Sequence, residues 1–192
     1  MGDPHKILLV EPDALMLEIL VAALARRFSA HITCVADAES CLDVEMLDPH
    51  ELVITELNLD TATASGGGPR ISSGLELVEK LMALCNRPII LLADEPTCDE
   101  AIDAIHLGVR DLFRKPFPVE HLLEAAGRAL LGHDLRRRRA ARYHSMRELL
   151  RQVIRERRDL NRRMELICRD VVGAQRRLVH RVVALEEQLR LA

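Results

Sequence analysis

Three short stretches of this chain carry the residue types that could do chemistry. Leu8-Leu9-Val10-Glu11-Pro12-Asp13 closes an apolar run with acids. Glu51-Leu52-Val53-Ile54-Thr55-Glu56 closes a second one, and Leu112-Phe113-Arg114-Lys115-Pro116-Phe117 ends in a lysine followed by proline. The chemistry open to such a set is that of charge: an ammonium against carboxylates, with Glu56 and Lys115 as the most direct pair. The plainer alternative for Glu56 is a solvated acid at a strand end. The other reactive types form no comparable set. No two of the eight histidines have i, i+4 spacing beside a carboxylate. His180 lacks the acid that usually follows a phosphotransfer histidine, and there is no glycine-rich nucleotide loop.

The elements that must position these groups are legible from periodicity. Lys6–Val10, His31–Val35, Leu52–Thr55, Pro88–Leu92 and Asp111–Arg114 are short apolar runs and predict strands. Asp13–Arg27, Ala38–Leu47, Leu75–Leu84, Thr97–His106 and Val119–Leu131 have helical spacing, the fourth ending at Gly108, a glycine suited to a C-cap. Alternating strands and helices predict a doubly wound, five-stranded parallel α/β sheet over residues 1–131, covered on both faces. In such sheets the functional crevice lies at the carboxyl ends of the strands. Glu11, Glu56, Ala93 and Lys115 fall at or just after those ends. The stretch 60–73 (DTATASGGGPRISS) interrupts the spacing as a loop beside that crevice, either a tolerated insertion or a lid or docking loop.

Composition narrows the class. Hydrophobic residues make up 48% and aromatics only 2%, so the core must be aliphatic. No run of about 18 apolar residues predicts a membrane span, and the first residues do not read as a signal peptide. Five cysteines without paired spacing argue against a zinc site or a disulfide framework and for a reducing cytoplasm. Charge is divided along the chain. Residues 1–132 hold 10 basic against 22 acidic side chains, and residues 133–192 hold 17 arginines against 8 acids. An acidic front and a basic tail suit nucleic acid, an acidic partner, or each other.

From 132 to 192 the strand signals stop. Apolar positions recur at Met146, Leu150, Val153, Leu160, Met164, Ile167, Val171, Leu178 and Leu185, with Ala174 between them and Arg157 and Arg181 filling two slots. Steps of four and three over about six heptads predict a coiled-coil seam. Such a helix needs a partner, most simply the same helix of a second copy. Arg157 and Arg181 would then cost stability and fix register or partner choice. Arg136, Arg137, Arg138 and Arg139 are the candidate nucleic-acid contacts; the later arginines read as spread around the helix among acids.

In their order along the chain, Ile7-Leu8-Leu9-Val10-Glu11, Val53-Ile54-Thr55-Glu56-Leu57-Asn58, Gly74-Leu75-Glu76-Leu77, Pro88-Ile89-Ile90-Leu91-Leu92 and Lys115-Pro116-Phe117 resemble the receiver domain of two-component response regulators, over roughly residues 5–131. The resemblance implies a flavodoxin-like fold and a pocket that takes a phosphoryl group onto an aspartate. It implies Mg²⁺ held by acids after the first strand, a hydroxyl after the fourth, and a lysine before a cis proline. This chain departs from that pattern. Glu56 stands in the aspartate's place, and its extra methylene moves the carboxylate by roughly 1.5 Å. A shift of that order costs about 100-fold in a positioned reaction. Pro12 replaces the second acid, although Asp13 follows it; Ala93 replaces the hydroxyl residue; Leu112 replaces the aromatic switch residue. Asn58, Lys115 and Pro116 match. The resulting expectation is a non-enzymatic, phosphorylation-independent receiver with no cofactor beyond a degenerate Mg²⁺ site. It would act as a cytoplasmic homodimeric interaction module with an unidentified protein partner and no membrane contact. Three readings stay open beside it: a receiver still modified by phosphoryl transfer or a small ligand, a regulator that binds nucleic acid through its arginine-rich helix, and a structural scaffold whose receiver only caps the coil.

Overall fold

The computed structural model describes residues 4–59, 73–84 and 87–190, with side chains as far as 182. The expected insertion 60–73 therefore lies outside the described residues except for Ser73, and so does the side chain of Leu185. Five strands, β1 (His5–Val10), β2 (Ala30–Val35), β3 (Leu52–Glu56), β4 (Ile89–Ala93) and β5 (Asp111–Arg114), form one sheet in the order β2-β1-β3-β4-β5. Every pairing is parallel. Five helices alternate with them: α1 (Ala14–Arg27), α2 (Ala38–Leu47), α3 (Gly74–Leu84), α4 (Cys98–Leu107) and α5 (Val119–Arg190). Each predicted strand and helix up to residue 118 is present with its ends moved by a residue or two.

Strand alternation explains why one sheet carries two cores. Leu8, Val10, Val53, Ile89, Leu91 and Ala93 face one side, where they pack with Ala38, Cys41, Leu77, Val78, Leu81 and Ala104 of α2, α3 and α4. Ile7, Leu9, Leu52, Ile54, Ile90 and Leu92 face the other and pack with α1 and the first turns of α5 through Leu20, Leu24, Leu122, Ala125, Ala126 and Ala129. Central strands β3 and β4 are buried along their whole length. That is why they read as continuous apolar runs and not as alternating ones.

Helix ends follow local chemistry. Asp13 caps α1, its carboxylate accepting from the Leu15 and Met16 amides at 2.8 and 3.3 Å. Thr97 and Glu100 form a reciprocal capping box at the start of α4. Gly108 ends that helix at φ 86°, a left-handed conformation that a side chain disfavours.

The chain divides into two compact units, Met1–Arg137 and Arg138–Ala192. The first holds the sheet. The second is helical throughout its described length, and its side chains as far as 182 are exposed apart from Gly173. Among the described residues no helix is long and apolar enough to cross a membrane.

Candidate functional site

Parallel strands deliver their last residues to one edge of the sheet. Glu11 follows β1, Glu56 ends β3, Ala93 ends β4 and Lys115 follows β5, so an open cleft there is lined by Glu11, Pro12, Asp13, Glu56, Asn58, Asp94, Glu95, Lys115 and Pro116. Both central carboxylates are buried: Glu11 is 2% exposed and Glu56 3%. Glu56 is therefore not the solvated strand-end acid that was one expectation. Its position at the end of an interior strand removes it from water.

One ammonium serves both acids. Lys115 Nζ donates to Glu11 Oε2 at 3.0 Å and stands 2.5 Å from Glu56 Oε2. The second contact is a close ion pair between two groups largely withdrawn from water. The remaining oxygens are held by backbone. Glu56 Oε1 accepts from the Leu57 and Asn58 amides at 2.9 and 3.3 Å, and Glu11 Oε1 accepts from the Asp13 amide at 3.2 Å. Burial raises the Glu11 pKa above its ordinary value, with the Lys115 and Asp13 hydrogen bonds pulling the other way. For Lys115 burial acts to lower the pKa, but the two carboxylates together outweigh it and hold the ammonium above its ordinary range.

The backbone around Glu56 is fixed by close contact. Gly74 donates to the Leu57 carbonyl at 2.6 Å, and Ser73 pairs with Asn58 in an isolated antiparallel bridge. A Cβ on Gly74 would lie 2.4 Å from the Glu56 carbonyl oxygen and 2.8 Å from Leu57 Cα. Only glycine lets α3 start this near the strand end. The Lys115–Pro116 bond is cis.

The donor set does not fit Mg²⁺. The ion needs open oxygens near octahedral positions. Glu11 and Glu56 instead converge on an ammonium, Asp13 Oδ1 caps α1, and Pro12 offers no side-chain oxygen. Among the described residues no group of three or more His, Cys, Asp and Glu side chains is arranged to hold a metal ion. Ala93 is fully buried in the core on the α2, α3 and α4 side of the sheet and carries no hydroxyl. The rim adds exposed Asp13, Asp94 and Glu95, so five carboxylates face one ammonium. An incoming phosphoryl donor would meet net negative charge.

Two features escaped the sequence reading. Glu11 was placed at the crevice but not as a second partner of Lys115. The second is a buried polar network on the opposite side of the sheet's long axis, at the amino ends of the strands. Glu45 Oε1 accepts from the His50 amide at 3.1 Å and meets His50 Nδ1 at 2.8 Å, while His50 Nε2 meets Thr33 Oγ1 at 2.8 Å. Arg87 closes on Glu45 Oε2. The signal for it was present: Ala38, Cys41 and Glu45 share one helix face, so an acid sits on an otherwise apolar stripe. Cys41 beside it is pushed up to about 12, chiefly by burial and then by Glu45 and Asp37, and is an inert core thiol.

Of the basic run, Arg137 binds Glu51 Oε1 at 3.1 Å within the first unit, and Glu51 also holds His5 at 2.6 Å. Arg136, Arg138 and Arg139 are exposed. In the second unit the expected seam residues Met146, Leu150, Val153, Leu160, Met164, Ile167, Val171 and Leu178 are all exposed, between 56% and 63%.

Strand order, paired strand-end acids and a lysine before a cis proline define the fold of the response-regulator receiver domain. Solved structures of that fold align closely. They include a CheY-like receiver domain protein from Methanospirillum hungatei JF-1, at TM-score 0.61 and 18% identity over 70% of this chain and 99% of that one. The receiver domain of an HD domain-containing protein from Pseudomonas fluorescens Pf-5 aligns at TM-score 0.63 and 23% identity, over 72% and 96%. In sequence, the chain is similar to the transcriptional regulatory protein FlgR of Helicobacter pylori (strain ATCC 700392 / 26695), 31% identical over 120 residues. That match covers 62% of this chain but only 28% of the length of FlgR. No family model matches the chain. The resemblance to receivers read from the sequence motifs, and the doubly wound fold with a long C-terminal helix, are thus borne out. The relatives are consistent with two-component signalling.

Proposed function

We propose that this protein is an atypical, non-enzymatic response regulator that signals without phosphorylation, in the cytoplasm, through assembly. One observation carries the reading. The Lys115 ammonium already sits between two buried carboxylates at the strand ends, so the charge that a phosphoryl group would bring to the lysine is supplied by Glu56. The longer glutamate side chain reaches the lysine directly. Its nucleophilic oxygens are then engaged, Mg²⁺ ligands are missing at Pro12, and Ala93 offers no hydroxyl. Output runs through the C-terminal helix, whose unpartnered apolar seam suits pairing with a second copy of the same helix.

The test is labelling of the full chain with acetyl phosphate and Mg²⁺, followed by intact and peptide mass spectrometry. No adduct is expected. A phosphoryl adduct on Glu56 or Asp13 would overturn the reading and return the site to group transfer. Light scattering addresses the second half of the proposal: the full chain is expected to be a dimer, and a monomer at micromolar concentration would remove assembly from the account.

A further inference from the structure

The second unit keeps helical geometry through its described length, and this resolves its arginines into a pattern. Taking about 100° per residue, Arg147, Arg151, Arg155, Arg158, Arg162, Arg169 and Arg176 fall within roughly 80° of arc. They follow one another at steps of four and three as far as Arg162 and then at two steps of seven to Arg169 and Arg176, with Glu165 in the first of those gaps. The stripe is about 44 Å long and lies roughly opposite the apolar seam that runs through Leu160, Ile167 and Val171. The later arginines are therefore not evenly spread, as their interleaving with acids had suggested. The acids fall mostly off this stripe.

We propose that this arginine stripe is a binding surface for the phosphate backbone of nucleic acid, read without regard to base sequence. Four observations choose this partner. The stripe is linear and narrow, with neighbours at i, i+4 separated by about 6 Å along the axis, which suits a chain of regularly spaced anions better than a rounded protein patch. Its cations are all arginine, the side chain whose planar fork meets phosphate oxygens two at a time. All seven are exposed, and the only ion pairs among them in the described residues are those of Arg151 and Arg155 to Glu148, at 3.4 and 3.2 Å. Exposed pairs of that kind are worth little and exchange readily for a phosphate. Finally, the second unit has a single aromatic, Tyr143, so base stacking is not provided for and backbone contact is what remains. Because the stripe lies away from the seam, a helix paired through the seam would keep it open. The inference does not depend on loss of phosphorylation in the receiver.

The experiment measures binding of the full chain to a fluorescent 30-base-pair DNA duplex, a duplex RNA of equal length, and poly-glutamate, by anisotropy over a range of salt. Seven phosphate contacts give a slope of log K against log salt near about −6 on DNA. The double substitution Arg158→Gln with Arg162→Gln is expected to reduce that slope by about 2. The charge-matched pair Arg163→Gln with Arg177→Gln, off the stripe, is expected to leave it within about 0.5. Glutamine keeps helix propensity close to that of arginine, and circular dichroism of both variants verifies the helix. DNA and RNA binding alike marks the shared backbone as the ligand; preference for one names the source. Equal losses from the two pairs, no binding to either duplex, or equal binding to poly-glutamate would overturn the proposal, the last in favour of an acidic protein surface.

Discussion

Replacing Lys115 by methionine is the perturbation that bears most directly on the site. The substitution keeps length and removes charge, leaving Glu11 and Glu56 at 2% and 3% exposure with no cation between them. Breaking a buried pair by deleting one partner costs about 3–5 kcal/mol, because the remaining charge is stranded in a poorly polarisable interior. Here two charges are stranded, so the upper half of that range is expected, a large part of the roughly 5–15 kcal/mol that holds a domain folded. The loss must depend on pH. Without the ammonium, burial of Glu11 is opposed only by the Asp13 amide, and the folded state takes up the Glu11 proton more readily than the unfolded chain. For Glu11 the window opens at its ordinary value of 4.5 and extends upward. Inside it, stability falls as pH rises, by about 1.4 kcal/mol per pH unit. Hydrogen exchange of the β1 and β3 amides in the full chain, read by mass spectrometry in graded urea at pH 5 and pH 8, reports the first unit without interference from the second. The deficit against wild type is expected to be about 4 kcal/mol at pH 8 and at least about 1 kcal/mol smaller at pH 5. Adding Glu56→Gln should return about 2 kcal/mol, since the amide oxygen keeps the Leu57 and Asn58 hydrogen bonds without the charge. A deficit under about 1 kcal/mol at pH 8, or one equal at both pH values, would refute the argument that Lys115 neutralises buried acids.

In the wild-type protein the raised pKa of Lys115 gives an alkaline limb. Its contribution is complete below 10.5 and is lost as pH climbs through the raised folded value, so the urea midpoint should fall above pH 10.5 and fall less in Lys115→Met. Gly74→Ala drives a Cβ to within 2.4 Å of the Glu56 carbonyl, against backbone that cannot swing aside; a loss of about 2–3 kcal/mol is expected in the same exchange assay. Leu160→Glu with Ile167→Glu places charges in the proposed seam, and light scattering of the full chain should report a monomer with β1 and β3 exchange unchanged.

The division between legible and illegible follows the range of the interactions. Strands β3 and β4 could be read because burial on both faces demands an unbroken apolar run, and α1 and α4 because Asp13, Thr97 and Gly108 act within four residues of themselves. The cleft could be placed at the strand ends because a parallel α/β sheet puts its crevice there whatever its sequence. Glu11 and Lys115 are 104 positions apart, however, and nothing local marks them as partners. Nor could spacing tell that one ammonium would reach both acids, that Glu56 would lie buried, or that Gly74 would press on its carbonyl. The Glu45–His50–Thr33–Arg87 network is of the same kind: it needs α2, β2 and the turns before β3 and β4 to meet.

By itself the sequence determined the alternation of strands and helices, the positions of charged groups at strand ends, the loss of the acid, hydroxyl and aspartate that the resemblance calls for, and a helix with an apolar seam and an arginine-rich surface. Those are one-dimensional properties, set by periods of two and 3.6 residues and by residue type. Only the tertiary structure decided how the charges combine. Desolvation and Coulomb attraction depend on distance in space and on the water excluded by neighbours from other elements. The strand order β1-β3-β4-β5 brought three separated ionisable residues into one buried cluster with an ammonium at its centre.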